Sequence, residues 1–258
     1  MELDPSLENS EISGPMDMQG DDSNRLDRLF DYLRDNMTMS VEPDPNSFHH
    51  KPSTPSGLDD SNNNRLELLK EIWEALESLC SPDLMDRISG FQRLIDYDAV
   101  RQLPIATYVL ATRLTDPDID LRTRIARTLG CLVNASQNGG GPSESVEKVL
   151  LVQLSAMRTR EVFALLQVVE YDRSAESCIA DLFSYCSFAG EHLSQILSNR
   201  SVPAEIRRQA AYFIGLIGYL DALPVLERLA LRFEKRSDES EVLILPALQN
   251  SVQLLTAL

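Results

Sequence analysis

The sequence predicts an all-α protein in which a largely disordered acidic tail precedes a series of packed helical hairpins. From residue 65 onward, apolar residues recur with the 3.6-residue period of a helix, in blocks separated by short breaks rich in Pro, Asp, Ser, Asn or Gly. No segment combines apolar alternation with β-branched enrichment, which is the pattern of a strand. Two stretches of the chain also resemble each other, which indicates a repeated helical unit.

Composition narrows the class of partner. The 258 residues are 43% apolar and 25% charged, which is enough to bury one good-sized core. A formal net charge of -16 is the wrong sign for binding nucleic acid or anionic lipid. No apolar run approaches the roughly 18 residues of a membrane span, and the first residues do not follow the pattern of a secretory signal. We therefore expect a cytoplasmic protein that binds neither nucleic acid nor membrane.

The first 62 residues differ from the rest in composition. Fourteen acidic and four basic residues lie among the first 64, and they account for ten of the sixteen net negative charges. Four prolines between positions 43 and 55 are interspersed with Ser, Asn and Gly. Such a segment cannot bury enough apolar surface to offset the entropy lost on ordering. We expect residues 1–62 to be a disordered acidic tail and residues 63–258 to be the helical domain.

One segment inside the tail has a helical pattern. Leu26, Leu29, Phe30 and Leu33 recur at helical spacing, so residues 23–36 can form a short amphipathic helix. A helix of this length is marginal in water on its own and needs a surface to dock on. Three alternatives remain: a partner-binding motif carried by Leu26, Phe30 and Leu33, a strap on the protein's own helical domain, or a fluctuating helix without a role.

The helical domain divides at its breaks into eleven predicted helices. In order, they cover residues 64–80, 82–96, 101–115, 119–135, 144–157, 159–171, 174–188, 189–198, 203–219, 221–235 and 239–257.

Two of these helices carry the internal similarity. Residues 120–132 align without a gap to residues 205–217, with an acid, an aliphatic residue, Arg, Ala and Gly at matched positions. The offset of 85 residues is two periods of a helical-hairpin repeat of about 40–47 residues. Gly130 and Gly215 each cost about 1 kcal/mol relative to Ala in a helix interior. We therefore expect another helix to cross closely at each glycine.

The matched residues resemble those of HEAT repeats, particularly the bacterial type related to phycobilisome-lyase repeats. The pattern runs from Asp116-Pro117-Asp118 through Leu121-Arg122 and Ala126 to Leu129-Gly130, and the resemblance is closest over residues 103–133 and 193–230. It implies an α-solenoid of about four to five HEAT-like helical hairpins. Residues 174–188 would supply a divergent second helix between the two matched ones.

Candidate binding residues come from this resemblance. The second helix of each hairpin usually lines the inner surface of a HEAT-like array, which points to Arg124, Arg127, Gln209 and Tyr212 as a partner-binding patch. Arg and Tyr are enriched at protein-interface hot spots.

Two further arginines on the same helices are expected to be structural. We expect Arg122 and Arg207 to pair with acids on neighbouring turns, such as Asp118, Asp120 and Glu205, and to hold one repeat to the next.

No catalytic, metal-binding or cofactor-binding set is apparent. The histidines at positions 49, 50 and 192 belong to no recognisable nucleophile or metal pattern, and no C-x-x-C pair occurs. Cys178 and Cys186 are expected to be small core residues rather than a redox pair. We expect a non-enzymatic interaction or scaffold module. The alternative implied by the resemblance is an accessory or enzyme-like protein, similar to bilin lyases, that acts on a modified protein.

The last predicted helix lacks the polar outer face of an end cap. Gln249, Asn250, Gln253 and Thr256 share one sector, and apolar residues occupy most of the remainder. We expect a second copy of the chain, a partner, or the 23–36 helix to cover it.

Overall fold

The structure, a computed structural model, describes residues 59–137, 141–235 and 239–258, with side chains from residue 67 onward. These ranges contain twelve α-helices, three short 3-10 turns and no strand, so the all-α class is confirmed for them. The predicted helix at 23–36 lies outside the described residues, and it stays a prediction. Within the described ranges, no helix is both long enough and apolar enough to cross a membrane.

The helices follow one another with short connections. They are α1 (Asp59–Leu79), α2 (Leu84–Asp96), α3 (Ala99–Gln102), α4 (Pro104–Thr112), α5 (Ile119–Gln137), α6 (Glu144–Ser155), α7 (Thr159–Tyr171), α8 (Glu176–Ser184), α9 (Ala189–Ser198), α10 (Ala204–Leu216), α11 (Leu223–Glu234) and α12 (Glu239–Thr256). The 3-10 turns are Arg113–Thr115, Arg173–Ala175 and Leu220–Ala222.

Most bounds lie within about two residues of the predicted ones; α1 begins five residues before the predicted residue 64, α10 ends three residues before the predicted 219, and two predicted helices differ more substantially. The predicted helix 101–115 is divided, because Leu103 is extended (φ -116°, ψ 116°) and Pro104, which has no N–H to donate, begins α4. The predicted helix 174–188 starts as a 3-10 turn whose first N–H groups are capped by Asp172, and α8 ends at Ser184. In both places local backbone chemistry overrides an apolar pattern that continues through the break.

Consecutive helices pair as hairpins. Contacts join α1 to α2, α4 to α5, α7 to α8, α9 to α10, and α11 to α12, while α6 packs against α4. At the first hairpin, Asp83 caps α2 by accepting the N–H groups of Met85 and Asp86. A Cβ on Gly90 would lie 2.5 Å from the Ala75 carbonyl oxygen of α1, so these two backbones are in contact.

Two pairs of second helices, α5 with α8 and α10 with α12, lie side by side. Along the seam between α5 and α8, Arg127 contacts Asp172, and Asn134 contacts Asp181 further on. The contacts advance together along both segments, so the two helices are parallel. Helix α10 also contacts α12, with the Ser251 hydroxyl donating to the Ala211 carbonyl.

Two glycines allow this close approach. A Cβ on Gly130 would lie 2.6 Å from the Cβ of Cys178, and a Cβ on Gly215 would lie 2.8 Å from the Cα of Ser251. The expectation that a helix crosses at each glycine is confirmed. Gly130 therefore faces α8 and Gly215 faces α12, while α8 and α10 are in contact through the rings of Phe183 and Phe213.

In three hairpins, the fourth residue of the second helix is a buried arginine. Arg87, Arg122 and Arg207 are the buried arginines of the described residues. Each guanidinium donates to a backbone carbonyl near the end of its own hairpin's first helix: Arg87 to Pro82 (2.8 Å), Arg122 to Asp116 (2.6 Å) and Arg207 to Leu197 (2.9 Å).

Each of these arginines also reaches the first helix of a following hairpin or the segment just after it. The Nε of Arg87 lies 2.9 Å from Oδ2 of Asp116, Arg122 donates to Gln167 of α7 (2.7 Å), and Arg207 lies over the ring of Phe233 of α11. Burial lowers the pKa of Arg122.

The expected acceptors of Arg122 were wrong, because Arg122 donates to the Asp116 carbonyl and Gln167 rather than to the carboxylates of Asp118 or Asp120. The expected role, holding one unit to the next, fits these contacts.

The last helix, α12, buries Ile244, Leu248 and Leu255. Its polar residues Gln249, Asn250, Gln253 and Thr256 are exposed, and so are Val242, Leu243 and Leu254. A second copy of the chain on this helix stays a prediction.

The Arg87–Asp116 pair provides a first test of this packing. Asp116→Asn and Arg87→Met each leave one buried charge without its counterion, so each should lower the free energy of unfolding by about 3–5 kcal/mol. The double variant should lose less than the sum of the two, because it removes both charges. Urea denaturation of the four proteins measures this coupling. Additive losses would show that the two groups do not interact.

Gly130 provides a second test. Gly130→Ala should lower the free energy of unfolding by about 1–3 kcal/mol, because the added Cβ would clash with the backbone of α8. Helix propensity alone would give the opposite sign, a gain of about 1 kcal/mol. Ser177→Ala, at an exposed position of α8, is the control and should change stability by less than about 0.5 kcal/mol. A stabilised Gly130→Ala protein would contradict the close crossing.

Candidate interaction surface

The exposed edges of α5, α8, α10 and α12 form one surface. Polar contacts cross this surface from helix to helix, because the exposed positions of parallel neighbours face each other. The junction between α7 and α8 lies between α5 and α10 and carries three acids: Glu170 at the end of α7, Asp172 in the turn, and Glu176 at the start of α8. Side chains from both flanking helices bind these acids: Arg127 from α5, and Arg208, Gln209 and Tyr212 from α10.

Two adjoining depressions lie on either side of Tyr212, with volumes of about 450 and 500 Å³. Tyr212 and Glu176 line both depressions. We call the two depressions together the Tyr212 groove. The first depression is also lined by Arg173, Arg208, Gln209, Leu243, Pro246 and Ala247, and the second by Ser177, Ala180, Asp181, Ser184, Leu216 and Ile217. The groove is an open surface feature, which is suited to a chain segment rather than to an enclosed small molecule.

The wall of the groove on α12 has a helix irregularity. Pro246 lies inside α12 and has no N–H to donate. The usual helix hydrogen bond from residue 246 to the Val242 carbonyl therefore cannot form. With the guanidinium groups of Arg173 and Arg208, which also line the first depression, the groove offers apolar contact and cationic donors.

The Tyr212 hydroxyl is fixed in orientation. It donates to a carboxylate oxygen of Glu176 at 2.5 Å, and this hydrogen bond, with burial and the carboxylate charge, raises the pKa of Tyr212 to about 12. The phenol is therefore neutral at physiological pH and holds α10 to α8.

The structure brings only part of the predicted binding patch together. Gln209 and Tyr212 both line the groove. Arg127 lies on the other side of α8, where it pairs with Asp172 and donates to Ser174, and Arg124 is exposed on α5 outside the groove. The other predicted residues, Leu26, Phe30 and Leu33, lie outside the described residues. That these residues bind a partner stays a prediction.

Sequence reasoning missed the acids of the α7–α8 turn and the wall residues Leu243 and Pro246. One signal was present: Glu170, Asp172 and Glu176 fall within seven residues, midway between the two aligned stretches. The wall had no comparable signal, since it depends on how α12 packs against α10.

The described residues contain no group of three or more His, Cys, Asp or Glu side chains placed to hold a metal ion. His192 is held by contacts from its two ring nitrogens to the Thr159 hydroxyl and the Met157 carbonyl. Cys186 is buried, as expected of a core residue, and its thiol lies 3.8 Å from the Met157 carbonyl oxygen. Cys178 is only half-buried.

No protein-family model, curated protein or solved structure matches this chain.

The hydrogen bond between Tyr212 and Glu176 predicts a measurable titration. The pKa of Tyr212 should be about 12, and Glu176→Gln should lower it toward the usual 10.0, because the variant removes the carboxylate acceptor. Since folding raises this pKa, the hydrogen bond stabilises the fold fully below pH 10 and its contribution is lost as pH rises through about 12. NMR titration of isotope-labelled tyrosines, with Tyr212→Phe for assignment, measures both values. A Tyr212 that titrates near 10 in the unmodified protein would contradict this geometry.

Proposed function

We propose that this chain is a non-enzymatic interaction or scaffold module that binds a partner protein in the Tyr212 groove. We further propose that residues 63–258 form a HEAT-like α-solenoid, with successive hairpins α1/α2, α4/α5, α7/α8, α9/α10 and α11/α12. The side-by-side packing of second helices and the buried arginine at the same position of three of the five hairpins support the solenoid, because both place equivalent residues in different units. Helix α6 is then an insertion that packs on α4.

The observation that carries the binding proposal is the convergence of three helices on Tyr212. Helices α8, α10 and α12 come from different parts of the chain and together supply an aromatic ring, two arginines and an apolar wall. Tyr and Arg are the side chains that most often dominate interface energetics. Since Glu176 already fixes the phenol, binding there loses little side-chain entropy.

The chemistry of the groove defines the partner segment. Leu243, Pro246 and Ala247 offer contact for an aliphatic or aromatic side chain, and Arg173 and Arg208 offer donors for a carboxylate. We therefore propose a segment of a partner protein that combines an apolar anchor with an acidic residue.

Two leucine variants test the binding site. Leu243→Asp places a charge on the wall of the groove, and Leu231→Asp makes the same change on exposed α11, outside the groove. Proteins captured by the full-length chain from cells of its source are compared quantitatively between the two variants and the unmodified chain. A partner bound in the groove should be lost with Leu243→Asp and retained with Leu231→Asp.

The affinity of the purified partner then gives the magnitude. Loss of a hot-spot contact of about 2 kcal/mol corresponds to binding that is weaker by roughly 30-fold. Circular dichroism checks that both variants remain folded. Equal retention of every partner by the two variants would show that the groove is not the binding site.

A further inference from the structure

Two cysteines meet on the exposed seam between α5 and α8. Cys131 is exposed on α5, next to Gly130, and Cys178 is half-buried on α8, where a Cβ on Gly130 would lie 2.6 Å from its Cβ. Both are reduced in the structure. The sequence-based comparison of Cys178 with Cys186 did not reveal this neighbour, because Cys131 lies 47 residues earlier in the chain.

The backbones at this point are close enough for a disulfide. A Cβ on Gly130 would lie 3.0 Å from the Cα of Cys178. Since a Cα–Cβ bond is about 1.5 Å long, the Cα of Gly130 lies within about 4.5 Å of the Cα of Cys178. Cys131 is the next residue along α5. Cysteines joined by a disulfide have Cα atoms about 4.4–6.8 Å apart. The Cys131 thiol also lies near enough to Cys178 to raise the pKa of its thiol, so the two side chains are neighbours across the seam.

The register of the seam places these two residues opposite each other. Arg127 pairs with Asp172, 45 residues on, and Asn134 donates to Asp181, 47 residues on. Cys131 and Cys178 are separated by the same 47 residues and lie between those two contacts. Flanking hydrogen bonds on both sides therefore hold the thiols face to face.

We propose that Cys131 and Cys178 are a thiol–disulfide exchange site that takes a low-molecular-weight disulfide, of the glutathione type, as its oxidant. The Cys131 thiolate attacks one sulfur of the small disulfide, whose S–S bond breaks and releases one small thiolate. The Cys178 thiol then loses its proton and attacks the Cys131 sulfur, which releases the second small thiolate. The protein loses two electrons and two protons, and one small disulfide becomes two small thiols.

Exposure assigns the two roles. Cys131 is open to solvent and is reached first by the oxidant, whereas Cys178 is sheltered and closes the bond. Burial raises the pKa of the Cys178 thiol, and its neighbour Cys131 raises it further. Closure therefore accelerates as pH rises, because the thiolate is the attacking species.

The closed bond would join two successive hairpins covalently next to the Tyr212 groove. Ser177 and Asp181, which flank Cys178 along α8, both line the second depression. The exchange site is independent of the partner proposal, since its test requires no partner.

The test incubates the reduced full chain with oxidised glutathione and follows the intact mass. The expected product has lost two hydrogens at Cys131 and Cys178 and carries no glutathione on either of them. Digestion with trypsin and chymotrypsin without reductant should give a linked pair of peptides that contain Cys131 and Cys178, because cleavage after Phe183 and Tyr185 separates Cys178 from Cys186. The cross-linked protein should also unfold at a higher urea concentration than the reduced protein.

Cysteine variants separate this site from general thiol reactivity. Cys178→Ser should stop at one glutathione on Cys131, and Cys131→Ser should form no internal bond. Cys80→Ser removes the other exposed cysteine and should leave closure unchanged. A stable glutathione adduct on Cys131 of the unmodified chain, without closure, would overturn the proposal, as would an internal bond that involves Cys80 or Cys186.

Discussion

Arg87, Arg122 and Arg207 occupy the same position in three hairpins, and the register of the described helices depends on them. Each guanidinium binds a carbonyl near the end of its own hairpin's first helix and reaches toward a later one. A buried charge without partners costs several kcal/mol, so a shift of one helix along its neighbour would be strongly unfavourable. Gly130 and Gly215 act with the arginines, since only a glycine at the crossing allows the backbones to approach this closely. Together they fix both the separation and the register of neighbouring helices.

The surface follows from this register. Once Gly130 lies against Cys178, Arg127 is opposite Asp172, Cys131 is opposite Cys178, and Asn134 is opposite Asp181. The interruption between α7 and α8 places acids at the surface, where Tyr212 and its neighbours bind them from the other side. Most charges on the surface are therefore paired within the protein. The groove beside Tyr212 is where α12 adds an apolar wall, and it is the place where a partner would gain most from burial.

The fold was largely predictable because its strongest determinants are local. Helical periodicity predicted the all-α class and most helix bounds, and Gly130 and Gly215 predicted the close crossings. Three features were not predictable from the residues alone. The acceptor of Arg122 is a backbone carbonyl, which has no sequence signature. Arg87 follows Pro82 by five residues, just as Arg122 follows Pro117. The residues around Arg87 nevertheless differ from those of the two aligned stretches, so its equivalence was not recognised. The groove depends on contacts between residues about 35 positions apart, so its members cannot be recognised from spacing within one helix.

The most direct test of the central claim is a set of distances between nitroxide labels on α5 and α10, with the remaining native cysteines changed to Ser. Two matched pairs of exposed positions are labelled, and the members of each pair are 85 residues apart: Asp120 with Glu205, and Cys131 with Leu216. Two helix separations of about 8–10 Å place both pairs about 16–20 Å apart, if α8 lies between parallel helices. Equal distances for the matched pairs, and a longer distance between positions 120 and 216, are the predicted result. A crossed distance shorter than the matched ones would show that α5 and α10 are not equivalent helices of one row.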